Sequence, residues 1–246
     1  MARADEMVAY LEDLLRHREI PDRYCPSGLQ VEGVAEVRSV GFAVDACMES
    51  FRQLEDCQMI LVHHGLFWPS VGRVTGSIRE RLAFLLSRGI GLFASHLPLD
   101  KHPNLGNNAQ ILKRLGLEAR EEFGEVGWLG EFDRALPRDE VQGRIARVLG
   151  GPVRLLAFGP VEVLRLGVSS GMGSFDLLGA AASRGADLIL TGEASHPMYH
   201  AAREAGANVA LGGHYATETW GLKALMPLLE DTFGVTTRFV DIPTGF

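Results

Sequence analysis

The sequence has little of what marks secreted, membrane-spanning or nucleic-acid-coating proteins. Its 246 residues include only three cysteines, Cys25, Cys47 and Cys57, and none forms a CxxC pair, so neither a disulfide framework nor a thiolate zinc site is indicated. No apolar run reaches the roughly 18 residues of a membrane span. Acidic residues outnumber basic ones by 31 to 24, which disfavours a protein that coats nucleic acid. We therefore expect a cytoplasmic protein with reduced thiols that does not bind membranes, and the acidic balance argues against nucleic acid as its main partner.

The N-terminal segment also lacks the uninterrupted apolar stretch of a signal peptide. Met7, Leu11, Leu14 and Leu15 recur at helical spacing with charged residues between them. This pattern predicts an amphipathic surface helix.

Short apolar runs alternate with segments of helical periodicity along most of the chain. This alternation predicts an α/β fold whose largely parallel sheets are covered on both faces. The predicted strands are 39–44, 59–62, 90–94, 153–157, 164–168, 188–190 and 209–211, and the predicted helices are 78–86, 109–115, 139–149, 175–182 and 198–205.

The middle of the chain interrupts this pattern. Residues 123–136 contain three glycines and a tryptophan without a clear helical period, and we interpret them as the passage into a second lobe. Strands that run into histidines in both halves suggest two related α/β lobes that face each other across a metal-binding cleft. We place the lobes at 1–125 (with His63, His64 and Asp100) and 126–246 (with Glu193, His214 and Glu218), with the C-terminal segment free to pack back on the first lobe.

Residues able to bind metal collect where predicted strands end, which is where open α/β sheets bind ligands. His63 and His64 follow the strand 59–62. Neighbouring side chains of a strand point to opposite faces, so both rings reach one region only if the strand has ended. Imidazole suits zinc, iron, copper and nickel. Taken alone, a chance histidine pair at a strand end is an equal alternative.

A second strand end leads to Asp100, which is placed to add a carboxylate. His96, just before it, is suited to orient Asp100 or to move a proton. His102 is better explained as an ordinary loop histidine. Asn107 and Asn108 begin the next predicted helix. Asparagine is a strong helix N-cap, so a structural role explains both residues.

A third strand end leads to His214 and Glu218. We expect one helix to begin near here and to continue past residue 222, which puts these two residues on one face, four positions apart. The alternative is an ordinary His–Glu pair on a surface helix. Gly212 and Gly213 favour the metal-ligand interpretation, because they allow the backbone to leave the strand in a tight turn.

These five residues exceed the four ligands of a tetrahedral zinc, whereas two ions that share a carboxylate use them all. Glu218 is the predicted bridge. One ion is expected to take His64 and Asp100, and the other His63 and His214. Because the ligands are nitrogen and oxygen without thiolate, the divalent ions are zinc, iron, manganese or cobalt.

Two further segments have open interpretations. Glu193 and His196 follow a fourth strand and suit either acid–base and substrate roles or the start of a helix. Gly171 and Gly173 follow the strand 164–168, where a glycine turn holds a phosphate or simply allows close packing.

The ordered set of motifs resembles the NIF-three-like family, also known as GTP cyclohydrolase I type 2 homologues. Its motifs are similar to Ser27-Gly28-Leu29-Gln30-Val31-Glu32-Gly33, Val62-His63-His64-Gly65, His96-Leu97-Pro98-Leu99-Asp100, Thr191-Gly192-Glu193 and Gly213-His214-Tyr215-Ala216-Thr217-Glu218. The resemblance implies a two-lobed α/β fold, a dinuclear metal centre with ligands His63, His64, Asp100, His214 and Glu218, and a ring-shaped homohexamer. The segment between His196 and His200 departs from a fixed pattern, which puts acid–base roles for these two residues in doubt.

Three functional hypotheses follow. The first is a metal-dependent hydrolase, cyclohydrolase-like or phosphohydrolase, acting on a nucleotide-like molecule, with Glu218, His96 and Glu193 as candidate catalytic residues. The second is a non-enzymatic metal-handling or regulatory scaffold protein. The third, nucleic-acid binding inside a ring, needs Arg79, Arg81 and Arg88 to gather on one surface, and the acidic charge balance counts against it.

Overall fold

The computed structural model describes residues 1–70, 72–174 and 176–246, and it has the mixed α/β architecture that the sequence predicts. The chain divides into two compact units. The first unit comprises Met1–His102 and Leu222–Ile242, and the second comprises Pro103–Gly221 and Pro243–Phe246.

The elements of the described residues are short and alternate in type. The strands are β1 Ala2–Arg3, β2 Gly28–Val31, β3 Glu36–Val37, β4 Ser39–Asp45, β5 Met59–His64, β6 Gly91–Ala94, β7 Glu121–Phe123, β8 Gly127–Pro137, β9 Arg154–Ala157, β10 Glu162–Gly173, β11 Leu188–Ala194, β12 Asn208–Leu211 and β13 Thr236–Phe239. The helices are α1 Ala4–Leu14, α2 Met48–Gln53, α3 Gly76–Arg88, α4 Leu97–Lys101, α5 Asn107–Arg114, α6 Arg138–Leu149, α7 Leu177–Ala182, α8 His196–Glu204, α9 His214–Thr217 and α10 Trp220–Phe233.

The main sheet of the first unit has the strand order β13-β4-β5-β6-β2. The pairs β13–β4, β4–β5 and β5–β6 are parallel, and β2 is antiparallel to β6 at one edge. The carboxyl ends of β4, β5 and β6 therefore lie at one edge of this sheet, which is where the first group of candidate ligands follows.

The sheet of the second unit has the order β7-β8-β10-β11-β12-β9. Its centre, β10–β11–β12, is parallel, while the β7–β8, β8–β10 and β12–β9 pairs are antiparallel. The sheets are thus more mixed than the largely parallel arrangement that the apolar runs suggested, because β2, β8 and β9 run antiparallel to the core strands beside them.

The unit boundary lies earlier than the predicted division at residue 125. Residues 103–125 belong with the second unit because β7 and β8 form an antiparallel hairpin that continues through β8 into β10. The segment Leu222–Ile242 returns to the first unit, where β13 adds to the edge beside β4. The structure also starts the predicted helix 175–182 at Leu177, and Phe175 lies outside the described residues.

Each unit has an apolar core of its own. In the first unit, α2 and α3 contribute Phe51 and Leu85 to a buried cluster with Ile60, Val62 and Leu92 of the sheet. In the second unit, residues of α5, α6 and the parallel strands form another cluster, which includes Ile111, Ile145, Val168, Leu190 and Ala210. These cores fix the strand ends from which the candidate site residues project.

Among the described helices, none combines the length and the apolar character that crossing a bilayer requires.

Candidate metal centre

His63 and His64 are the last two residues of β5, so the strand does not end before them as we expected. Its ladder with β6 stops at Val62, whereas its pairing with β4 continues to His64, opposite Asp45. The two imidazole rings lie side by side, with centroids 4.8 Å apart. Because β6 no longer pairs with β5 beyond Val62, the side chains of His63 and His64 can both reach one region although the strand itself continues.

Each of these two rings is held through its Nδ1 atom. His63 Nδ1 donates to the carbonyl oxygen of Ser95 at 3.0 Å, and His64 Nδ1 donates to Asp45 Oδ1 at 2.8 Å. An imidazole that donates from Nδ1 has its lone pair on Nε2 when it is neutral, which prepares Nε2 to ligate a metal. Asp45 is the last residue of β4. The sequence pattern did not identify it as a partner of His64.

Asp100 lies in α4 and is almost completely buried, with 3% of its surface exposed. Its Oδ2 atom is 3.4 Å from His63 Nε2, in a pair whose side chains are 4% and 0% exposed. Burial of a carboxylate beside an imidazole nitrogen is costly unless both groups gain a strong partner. Asp100 thus lies against the His63 imidazole, whereas the sequence paired it with His64.

The His96 side chain is held by Asp22, and its predicted role in orienting Asp100 stays a prediction. Its Nδ1 donates to Asp22 Oδ2 at 3.0 Å, and the Asp22 side chain is 2% exposed. Burial acts to raise the pKa of Asp22, but hydrogen bonds from His96 and from the backbone amides of Cys25 and Leu97 lower it to about 2. The nitrogen atoms of His63, His64 and His96 that face one another lie within 4.8 Å, so the first unit by itself contains a three-imidazole cluster.

In the second unit, His214 and Glu218 lie on a single turn and not on one long helix. Helix α9 ends at Thr217, Glu218 occupies its C-cap, and α10 begins separately at Trp220. The spacing of four still brings His214 Nε2 to 3.2 Å from Glu218 Oε2. Glu218 is buried, with 2% of its surface exposed.

Glu193 contacts His214 directly. His214 Nδ1 donates to Glu193 Oε1 at 2.8 Å, so this ring has the same Nδ1 anchoring as His63 and His64. The hydrogen bond with Glu218 is the largest cause that raises the pKa of His214 to about 9, against burial and with a further contribution from Glu193. The contact makes Glu193 a residue that positions an imidazole, and its predicted catalytic role stays a prediction.

The backbone of β10 closes tightly on this pair at Gly171. A Cβ atom on Gly171 would lie 2.2 Å from Glu218 Oε1 and 3.3 Å from His214 Nε2, and the residue has a φ of +66°. The Gly171 amide donates to Thr217 Oγ1 at 3.0 Å, and the Ser170 amide donates to Asn108 Oδ1 at 2.7 Å. These two amides are engaged by side chains, and the close approach at Gly171 favours the packing interpretation of its glycine.

The remaining sequence candidates have structural contacts. Asn107 is the first residue of α5 and accepts from the Gly221 amide, while Gly106 occupies the N-cap. His102 is buried, which lowers its pKa. His196 and His200 lie on the exposed part of α8 with ring centroids 6.0 Å apart.

Imidazole nitrogens and buried carboxylates of this kind fit a divalent transition metal. In both units the histidine rings are oriented through Nδ1 by an oxygen atom, and Nε2 lies beside a buried carboxylate at 3.4 Å for His63 and 3.2 Å for His214. This is the usual support of a metal-bound histidine. The donor set of nitrogen and oxygen suits zinc, iron, manganese and cobalt.

The close approach at Gly171 yields a prediction. Gly171→Ala should weaken divalent metal binding by about tenfold or more, because the added methyl group displaces the Glu218 carboxylate. Titration calorimetry with zinc measures the effect. Gly150→Ala is the matched control, since Gly150 also has a positive φ, +73°, but would place its Cβ in open space. Equal metal affinity in the two variants would contradict the prediction.

The Nδ1 partners yield a second prediction. Asp45→Asn and Glu193→Gln should each lower metal affinity by about 10- to 100-fold while leaving the fold intact, because the ligand ring loses an anionic partner. Competition with a chromophoric chelator measures the affinity, and circular dichroism monitors the fold. Glu140→Gln, which removes an exposed contact to Arg144, is the control. Wild-type affinity in both site variants would exclude a supporting role.

The whole chain resembles known proteins. The family model Duf34/NIF3 (NGG1p interacting factor 3) matches residues 2–244. A Pyrococcus horikoshii protein named GTP cyclohydrolase 1 type 2 homolog is 45% identical over 249 residues, covering 98% of each chain. The solved structure of protein ybgI, described as of unknown function, is 34% identical with a TM-score of 0.92, covering 98% of this chain and 99% of that one. TTHA1606 from Thermus thermophilus is 37% identical with a TM-score of 0.86, covering 99% of this chain and 100% of that one. The chain therefore belongs to the Duf34/NIF3 family.

Proposed function

We propose that this protein binds two divalent metal ions through His63, His64, Asp100, His214 and Glu218 and acts as a metal-dependent hydrolase on a nucleotide-like substrate. The observation that carries the proposal is the anchoring of the candidate imidazoles. His63, His64 and His214 each have Nδ1 bonded to an oxygen, and two of them have Nε2 beside a buried carboxylate. Structural histidines need no such common orientation.

One distance within the first unit supports a division of the ligands between the two ions. His63 and Asp100 would hold one ion, His64 and His214 the other, and Glu218 would bridge them. This replaces the pairing of His64 with Asp100 that the sequence suggested, because Asp100 Oδ2 lies 3.4 Å from His63 Nε2. Three ligands per ion leave positions for water and substrate.

Two neighbouring divalent ions supply Lewis-acid polarisation and a water that is nucleophilic at neutral pH. The residues of the chain set the conditions for this chemistry. Asp45 and Glu193 fix the rings of His64 and His214, and the buried Asp100 and Glu218 each contribute a negative charge. Two divalent ions with open positions would also polarise the phosphoryl oxygens of a substrate such as a nucleotide.

His96 is the candidate for holding or moving a proton at the substrate. Its Nδ1 is engaged by the anionic Asp22, and its ring lies 5.1 Å from that of His63 and 5.6 Å from that of His64. A ring fixed in this way presents Nε2 in a constant orientation. The name of the Pyrococcus horikoshii relative supports a cyclohydrolase reaction, and a phosphohydrolase reaction uses the same groups.

Glu218→Gln tests the proposed function. We expect this variant to lose one or both ions and to lower turnover of the best substrate by at least about 100-fold, because the shared carboxylate is removed. Metal content is measured by mass spectrometry, and turnover is measured on a panel of nucleotides. Glu204→Gln, at the exposed end of α8, is the control.

The outcomes separate the functional alternatives. Turnover that is equal in wild type and Glu218→Gln would assign the activity to a contaminant. Two tightly bound ions without turnover on the whole panel would favour the metal-handling or scaffold role.

The three free thiols agree with action in the cytoplasm, where cysteines stay reduced.

We further propose, from the family resemblance, that the protein assembles into a ring-shaped homohexamer. Light scattering on the purified protein should give six times the mass of one chain, at concentrations down to the micromolar range. A monomer or dimer under these conditions would refute the hexamer without affecting the metal ligands within each chain.

A further inference from the structure

Two large aromatic side chains are exposed beside the three-imidazole cluster of the first unit. Trp68 is 46% exposed and Tyr24 is 41% exposed, whereas Phe42, Phe51 and Phe93 of the same unit are buried. Single exposed apolar residues are common and need no explanation. These two differ because both contact His96, a residue already fixed next to the metal-binding histidines.

The rings form a continuous group, here called the aromatic rim, which consists of Tyr24, Trp68 and His96. The Trp68 ring lies 5.2 Å from the His96 ring at 72°, and the Tyr24 ring lies 6.3 Å from it at 82°. Trp68 also lies 5.8 Å from His64. Both exposed rings stand nearly perpendicular to His96, and Tyr24 and Trp68 keep 41% and 46% of their surface exposed beside it.

The rim is held in place by hydrogen bonds at both ends. Trp68 Nε1 donates to the carbonyl oxygen of Gly65 at 2.9 Å, which fixes the indole directly after the strand that carries His63 and His64. Asp22 accepts from the Tyr24 amide with one carboxylate oxygen and from His96 with the other, at 2.9 and 3.0 Å. One buried carboxylate thus ties Tyr24 and His96 to the same anchor, so the group does not depend on loop packing alone.

A positive charge borders the rim. The Arg23 guanidinium carbon lies 4.8 Å above the centre of the Tyr24 ring, and Arg23 Nη2 donates to the Tyr24 hydroxyl at 2.6 Å. A planar ring stacked on Tyr24 would therefore be near a guanidinium as well as the His96 imidazole. Exposed aromatic faces with an adjacent arginine are the usual means by which proteins hold nucleobases without sequence preference.

We propose that the aromatic rim is a subsite for a planar heteroaromatic ring, such as a purine base, which it holds by stacking on Trp68 and Tyr24. The inference rests on the proposed function in one respect, namely that the ring belongs to the substrate processed at the metal centre. The subsite uses residues outside the five metal ligands and gives the protein selectivity for base-containing over base-free phosphates.

Fluorescence titration of the full-length protein tests the subsite directly. Guanosine, which has the ring but no phosphate, should quench tryptophan emission and bind both the zinc-loaded and the metal-free protein. Ribose 5-phosphate, which has the phosphate but no base, should bind only the zinc-loaded protein. Trp68→Leu should weaken guanosine binding by about tenfold or more, and Tyr24→Leu by a similar factor, while Trp68→Phe retains a stacking face and stays within about threefold of wild type. Calorimetry supplies the affinity for the variants that lack Trp68.

Tyr199→Leu is the matched control, because Tyr199 is a comparably exposed tyrosine, at 38%, on α8 of the second unit. Zinc content and circular dichroism should be unchanged in all variants. Guanosine affinity that is the same in wild type, Trp68→Leu and Tyr24→Leu would overturn the proposal. Absence of turnover, with guanosine binding and its loss in Trp68→Leu both observed, would refute the hydrolase and leave the subsite standing.

Discussion

The site depends on one repeated interaction, the hydrogen bond that holds the Nδ1 atom of each candidate histidine. Ser95 provides a carbonyl oxygen for His63, and Asp45 and Glu193 provide carboxylates for His64 and His214. Without these bonds the rings would lose the orientation that points Nε2 of His63 and His214 at a buried carboxylate. Each partner lies at a strand end, so the geometry of the ligands is fixed by the sheets.

The two units solve the same problem with different backbone devices. In the first, β5 keeps its pairing with β4 through His64 after its ladder with β6 has stopped, which brings two adjacent side chains together. In the second, a one-turn helix places His214 and Glu218 on one side, and the backbone of β10 approaches them so closely that Gly171 has no room for a side chain. Both devices hold buried polar groups in fixed positions, and fixed positions are what metal selectivity and charge stabilisation need.

The surroundings of the first group add a further level of organisation. The anionic Asp22 holds His96 and the Tyr24 backbone together, and Trp68 is fixed by the carbonyl oxygen of Gly65. Groups that suit metal binding, proton transfer and ring stacking are thus combined within one unit around a single strand end. Such a combination would support the proposed metal chemistry and ring binding from side chains that are already held in place.

The sequence by itself determined the α/β class, most strand positions and the identity of the candidate ligands. Apolar runs and strand-end histidines are local signals, and the ordered motifs of the family are carried by consecutive residues. Only the tertiary structure revealed Asp45 and Asp22 as histidine partners, because each lies far along the chain from the ring that it holds. It also divided the predicted helix at Glu218, joined 222–242 to the first unit and placed Gly171 against a carboxylate. These features follow from long-range pairing and close packing, which no periodicity within a short window records.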